Sequence, residues 1–508
     1  MTAGPRRCPA GGAVLLAIAA CSGPGAAPPG DAAPPPADAA TDAAPDAAPP
    51  PEHGLRATYF RRHGGAPVLE RVDATVDFAW GDGEPATGVG RDHFSVRWSG
   101  TLDVPAAGTY TFVATTDDGV RLWIGDAPVP VLDDWVFRRP TRSEVTLALP
   151  AGPVAVRLDY FEKDFTAEAH LAWRSDAFAE EVIPAERLVA APPVAATGSP
   201  RPPYDNPVIG VDCPDPGVLV DGDALAPTYY LACTGGRFGI RRSADLVLWD
   251  ESGQTILPTD RPSWAANGFR NWAPEIHRVG DRYVAYFTAA DGDNRLAIGA
   301  AWATSPLGPY TDAGGPLVQD PLGVIDATYF RDRDGRHYLI YKIDGNSQGR
   351  PTPIFAHELA ADGLSLAAGS PRHELLVNDP ASWEGGVIEA PWLVRHDGTY
   401  YLFYSGNVYD ARYRTGVARA PSLLGPYQKR GAPILANNAH WVGPGHGSVV
   451  PTASGDFFVY HAWKATASGG HDTAAGRQVL LDRIAWEDGW PRIGDGTPGR
   501  GLAPWPTD

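Results

Sequence analysis

The chain has 508 residues, an apolar share of 44% and a formal net charge of -18. That length exceeds one compact domain, and the acidity argues against nucleic acid or an anionic membrane surface as a partner. Charged residues make up only 20%, while Gly (58), Pro (51) and Trp (16) are abundant, which favours turn-rich β folds and an aromatic surface suited to neutral sugar rings.

Residues 1–21 read as an export signal. Arg6 and Arg7 form a basic start, and Ala13 to Ala20 form an apolar run too short to span a bilayer as a helix. The run ends in Ile18-Ala19-Ala20-Cys21, which resembles a bacterial lipobox; the plainer alternative is a secretory signal with a chance cysteine. The lipobox implies a lipid anchor at Cys21 as the sole membrane attachment, and an envelope or secreted location. Residues 22–53, nearly all Ala, Pro, Asp, Gly and Thr, cannot bury apolar area and read as a stiff, disordered tether.

Residues 54–190 alternate short strands with turns. Phe94-Ser-Val-Arg-Trp98, Gly108-Thr-Tyr-Thr-Phe-Val-Ala114, Val120-Arg-Leu-Trp-Ile124 and Val154-Ala-Val-Arg-Leu-Asp-Tyr160 carry period-2 patterning at spacings that predict an antiparallel β-sandwich. A second Pro-rich linker covers 191–203.

Residues 204–508 contain an internal repeat. A polar residue opens a short apolar strand, a Gly- or Asp-containing turn follows, and an aromatic-rich strand returns. The pattern starts at Asp215, Ala273, Asp326, Glu389 and Gly445, at intervals of 58, 53, 63 and 56 residues. Ser305-Pro-Leu-Gly-Pro-Tyr310 recurs as Ser422-Leu-Leu-Gly-Pro-Tyr427, two periods later. Each unit is long enough for four short strands, so the fold expected is all-β, a five-bladed β-propeller behind the sandwich. Cys213 and Cys233 lie symmetrically about residue 223 in the first hairpin. Facing positions on antiparallel strands suit a disulfide, and two free thiols are the alternative.

In a propeller the first strand of every blade lines the central channel. The repeat therefore gathers Asp215, Glu275 or its neighbours, Asp326, Glu389 and His446 at one mouth. Taken singly, Asp215 before Pro216 is a turn residue and Asp326 a strand cap. Taken together, several carboxylates at an aromatic rim match what glycosidic bond cleavage requires.

These segments resemble glycoside hydrolase family 43. The resemblance rests on Cys-Pro-Asp215-Pro-Gly-Val, Trp272-Ala-Pro-Glu-Ile, Val-Ile-Asp326-Ala, Val-Ile-Glu389-Ala-Pro, Gly-Pro-Gly-His446-Gly-Ser-Val and Gly-Arg477-Gln, and spans 204–508. It implies an inverting hydrolase of arabinose- or xylose-containing plant polysaccharides or oligosaccharides, as arabinofuranosidase, arabinanase or xylosidase. Asp215 would be the general base, Glu389 the general acid, and Asp326 the residue that orients Glu389 and holds its proton on. His446 matches a histidine that helps hold a metal, usually calcium, with a hydrogen-bonded core histidine as the alternative. Trp272, Trp383 and Arg477 are candidate sugar contacts, and either Trp would serve equally as packing between blades.

Residues 54–188 resemble the protective-antigen-type β-sandwich, through Gly54-Leu-Arg-Ala-Thr-Tyr-Phe, Thr115-Thr-Asp117-Asp118-Gly-Val-Arg-Leu-Trp-Ile124 and Asp133-Asp134-Trp135. In its sugar-binding members the paired aspartates hold calcium; in others Asp-Asp-Gly is a plain turn. A carbohydrate-binding sandwich, no organic cofactor and a monomer are expected. A non-catalytic sugar-binding surface lipoprotein is the alternative, disfavoured because a pure binder needs no such acids. A fructosidase would want an Asn-Asp-Pro setting, whereas Asp215 follows Cys213-Pro214.

Overall fold

Period-2 patterning in the N-terminal region becomes two stacked antiparallel sheets. The computed structural model describes residues 52–61, 67–163, 166–193, 203–223 and 226–506. The expected signal, Cys21 and nearly all of both linkers lie outside the described residues. One sheet has the order Pro67–Asp73, Leu55–Phe60, Phe94–Val104, Gly152–Glu162, Val120–Ile124 and Leu132–Asp134, with Leu188–Ala190 beside Phe94–Val104. The other runs Phe178–Val182, Ala167–Ser175, Gly108–Thr116 and Thr141–Leu149, with Asp77–Gly81 beside Ala167–Ser175. Alternate residues of both sheets face inward, and Phe94, Trp98, Phe112, Tyr160 and Trp173 fill the core. Asp73 is buried there because it is paired: it accepts hydrogen bonds from Tyr59 (2.7 Å) and the Trp98 indole N–H (2.8 Å).

The C-terminal region forms five four-stranded antiparallel sheets, each a simple meander. Their first strands are Gly217–Asp223, Trp272–Val279, Val324–Arg331, Ile388–His396 and Trp441–Thr452. Each first strand packs against the next, and the fifth returns to the first, so the blades close in a ring. The second strands read as continuous apolar runs because both faces are buried. Tyr283, Ala285 and Phe287 face blade 1, whereas Val284 and Tyr286 face blade 3. One apolar cluster fills each of the five junctions between blades. The segment before blade 1 seals the ring, with bridges from Tyr204 to Ala503 and from Ile209 to Val479 of blade 5. The short repeat marks one turn used twice: Tyr310 donates its hydroxyl to the Pro306 carbonyl, and Tyr427 does the same to Leu423.

Cys213 and Cys233 are bridged, with Cα atoms 5.2 Å apart. The geometry expected for the pair is corrected, however. The ladder pairs Gly217 with Ala232 and Asp223 with Ala226. Cys213 therefore precedes the strand and has no facing ladder position. The bond ties the incoming segment to the end of the second strand.

Candidate active site

The five first strands share a backbone device that composition does not reveal. Each has one non-glycine residue in the left-handed region, inside the strand or, for Asp215, two residues before it: Asp215 (φ 56°), Ala273 (41°), Asp326 (58°), Ala390 (54°) and His446 (44°). In blades 2 to 5 the pairing register slips around this residue. Such backbone costs about 1–3 kcal/mol per residue and persists only where its surroundings enforce it.

The enforcement comes from the preceding blade. The Ala273 N–H donates to Thr234 Oγ1 (2.7 Å), Asp326 to Thr288 Oγ1 (3.3 Å), His446 to Ser405 Oγ (2.9 Å) and Asp215 to His461 Nδ1 (3.1 Å). Thr234, Thr288, Ser405 and His461 occupy one repeat position, five residues beyond Tyr229, Tyr283, Tyr400 and Asp456. In blade 3 that position is Lys342. There the Ala390 N–H donates to Asp326 Oδ2 (3.0 Å) instead.

This phase corrects the sequence argument for three acids at one repeat position. Asp215, Asp326 and His446 hold the left-handed place, but Glu389 lies one residue before it. Glu275 lies two residues past Ala273, is buried, and pairs with His277 Nε2 at 2.8 Å.

Asp215, Asp326 and Glu389 belong to one electrostatic cluster. Asp215 Oδ1 lies 2.8 Å from the Arg477 guanidinium, 3.2 Å from His446 Nδ1 and 3.4 Å from His461 Nδ1. Its Oδ2 accepts the Thr234 hydroxyl at 2.6 Å. Burial opposes ionisation of Asp215, yet Arg477 and His446 hold it well below the usual carboxylate range. Asp326 goes the other way: burial, together with the Glu389 carboxylate, pushes it up to about 7 against the pull of His446 and Lys342. Glu389 is gripped at both oxygens, Oε2 by Lys342 Nζ and Oε1 by the Tyr413 hydroxyl, each at 2.9 Å. Burial opposes protonation of His446, but Asp215 and Asp326 raise it to about 9, so it is an imidazolium at neutral pH. His461 is held neutral by burial and by Arg477. Because its Nδ1 accepts the Asp215 N–H, the proton sits on Nε2. Its ring lies parallel to Tyr413 at 5.7 Å.

The remaining candidates divide. Arg477 is in the cluster, and its guanidinium also faces the Tyr409 ring at 5.0 Å. Trp272 is half-buried at the start of the blade 2 strand. Trp383 packs within blade 4: its indole covers Gly406 and Gly416, where no Cβ would fit, and stacks on Tyr404 at 5.8 Å. His446, Asp117 and Asp118, the residues expected to hold calcium, each have protein partners. Among the described residues, no three His, Cys, Asp or Glu side chains are grouped to hold a metal. His446 directs Nδ1 at Asp215. Asp118, fully buried at φ 63°, accepts backbone N–H groups from Arg138 (2.9 Å) and Lys163 (2.7 Å), and Asp117 accepts the Thr166 hydroxyl (2.7 Å). Asp-Asp-Gly is thus a loop clamp. His461, Lys342, Tyr413 and Thr234 were missed; the second-strand repeat position would have flagged all but Tyr413.

A carboxylate kept ionised in one cluster with a carboxyl whose proton affinity is raised is the equipment of a glycosidase. Residues 204–491 match the glycosyl hydrolases family 43, and the chain belongs to that family. Residues 51–187 match the PA14 domain. A solved thermostable family-43 glycoside hydrolase is 31% identical, with a TM-score of 0.53, covering 60% of this chain and 99% of that one. An extracellular exo-alpha-(1->5)-L-arabinofuranosidase of Cellvibrio japonicus is 26% identical over 56% of this chain and 86% of its own length. An anti-sigma-I factor of Acetivibrio thermocellus is 35% identical over 27% of this chain; the chain spans only 21% of that factor.

Proposed function

We propose that the protein is an exported, inverting glycoside hydrolase acting on arabinose- or xylose-containing plant polysaccharides. The observation that carries this reading is the split in proton affinity within one cluster: Asp215 held ionised, Asp326 raised beside Glu389. Asp215 removes a proton from a water that attacks the anomeric carbon. Glu389 gives a proton to the departing glycosidic oxygen on the opposite face of the sugar. Asp326 accepts the Ala390 N–H, next to Glu389, and so stands beside the acid it orients. An inverting pair needs roughly 6.5–9.5 Å between base and acid to admit the water. Arg477 and Trp272 are assigned to sugar contact. The sandwich would hold the enzyme on its polysaccharide, and a lipid at Cys21 would keep it on the envelope.

The test is product stereochemistry. Proton NMR during hydrolysis of an α-arabinofuranoside should show the β-anomer first. The α-anomer appearing first would contradict the mechanism.

A further inference from the structure

Lys342 breaks a rule the other four blade junctions obey. At those junctions the second-strand residue is a hydroxyl or a neutral imidazole that accepts the N–H of the next blade's left-handed residue. An ammonium has no lone pair and cannot. Lys342 is fully buried, and its Nζ lies 2.9 Å from both Glu389 Oε2 and Asp344 Oδ1. A buried cation is costly unless paired, and here two carboxylates pair it. Losing the acceptor also frees the Ala390 N–H, which Asp326 takes. One replacement in a repeated latch thus anchors Glu389 and bonds Asp326 to the residue beside it.

We propose that Lys342 is the positioning residue of the general acid, fixing the Glu389 carboxyl and balancing its charge, with Asp344 limiting how much positive charge Glu389 meets. This rests on the acid role assigned to Glu389 above. Glu389 is faced by Lys342 from blade 3, which also pairs with Asp344, by Asp326 from the blade 3 first strand, by Tyr413 from blade 4 and by His446 from blade 5. Removing the ammonium should therefore raise the proton affinity of the acid pair, and removing Asp344 should lower it.

The experiment measures the pH dependence of kcat/KM for Lys342→Met, Asp344→Asn and Glu389→Gln in the full chain. It uses methyl and dinitrophenyl arabinofuranosides, or the xylosides if those are cleaved. The alkaline limb should move up by about one unit in Lys342→Met and down in Asp344→Asn. Loss in Lys342→Met should be roughly tenfold or more on the methyl glycoside, which needs a proton donor, and slight on the dinitrophenyl one. If Lys342→Met does not fold, the downward shift in Asp344→Asn decides alone. Equal losses on both substrates with an unmoved limb would overturn the inference while a leaving-group-selective Glu389→Gln upheld the acid. Full activity of Glu389→Gln on the methyl glycoside would overturn both.

Discussion

Arg477 and Asp215 meet at 2.8 Å although 262 residues separate them, and the contact joins the third strand of blade 5 to the entrance of blade 1. The Cys213 N–H donates to the Arg477 carbonyl in the same place. The seam that closes the ring is therefore also where the base is held. Replacing Arg477 by Met removes the nearest positive charge from a buried carboxylate. The acidic limb of kcat/KM should rise by about 1–2 pH units. A pH profile on an aryl pentoside checks this, and an unchanged limb would show that Arg477 does not control Asp215.

His446 makes folding stability depend on alkaline pH. Its protonated form is favoured in the folded state, up to about 9, and its unfolded reference is 6.5. The folded state then binds more protons than the unfolded one between those values. The contribution is complete below about 6.5 and lost as pH rises through about 9. Urea midpoints measured from pH 6 to 10 should fall over that window in the parent. The fall should be shallower in His446→Gln.

Much of the fold was legible because propeller blades repeat. The aromatic-rich second strands and the opening polar residues recur at nearly constant spacing, and that phase located Asp215, Asp326 and His446. Glu389 was found for a flawed reason, since a left-handed residue shifts the count by one and no composition signal marks it. The cysteine pair was right although the register invoked for it was not. The charges that tune each acid come from other blades, so sequence order hides them. The packing of Trp383 was not legible either, because the two glycines that make room for its ring, 406 and 416, lie on later strands of the blade.

The sandwich clamp predicts a stability effect without a metal. Asp118→Ala leaves the Arg138 and Lys163 backbone N–H groups without their carboxylate partner and puts alanine at φ 63°. The expected loss is about 2–4 kcal/mol in urea unfolding of the sandwich transition. A chelator should leave that transition unchanged; a chelator-sensitive midpoint would place calcium at Asp117 and Asp118.

Removing the disulfide tests the other seam. The bond closes a loop of sequence separation 20 and fastens the segment that carries Asp215. The Cys213→Ser, Cys233→Ser double variant should lose about 3 kcal/mol of stability. It should also lose activity below its melting point, because the segment before Asp215 is released. Full activity with reduced stability would confine the bond to a structural role.

The most direct test of the whole account is kcat/KM of Asp215→Asn on an arabino- or xylo-oligosaccharide. The substitution keeps the shape and removes the base. A fall of about 10²–10⁴-fold is expected, with the fold intact by circular dichroism. Parent-like turnover would contradict the assignment of the Asp215, Asp326 and Glu389 cluster as the catalytic centre.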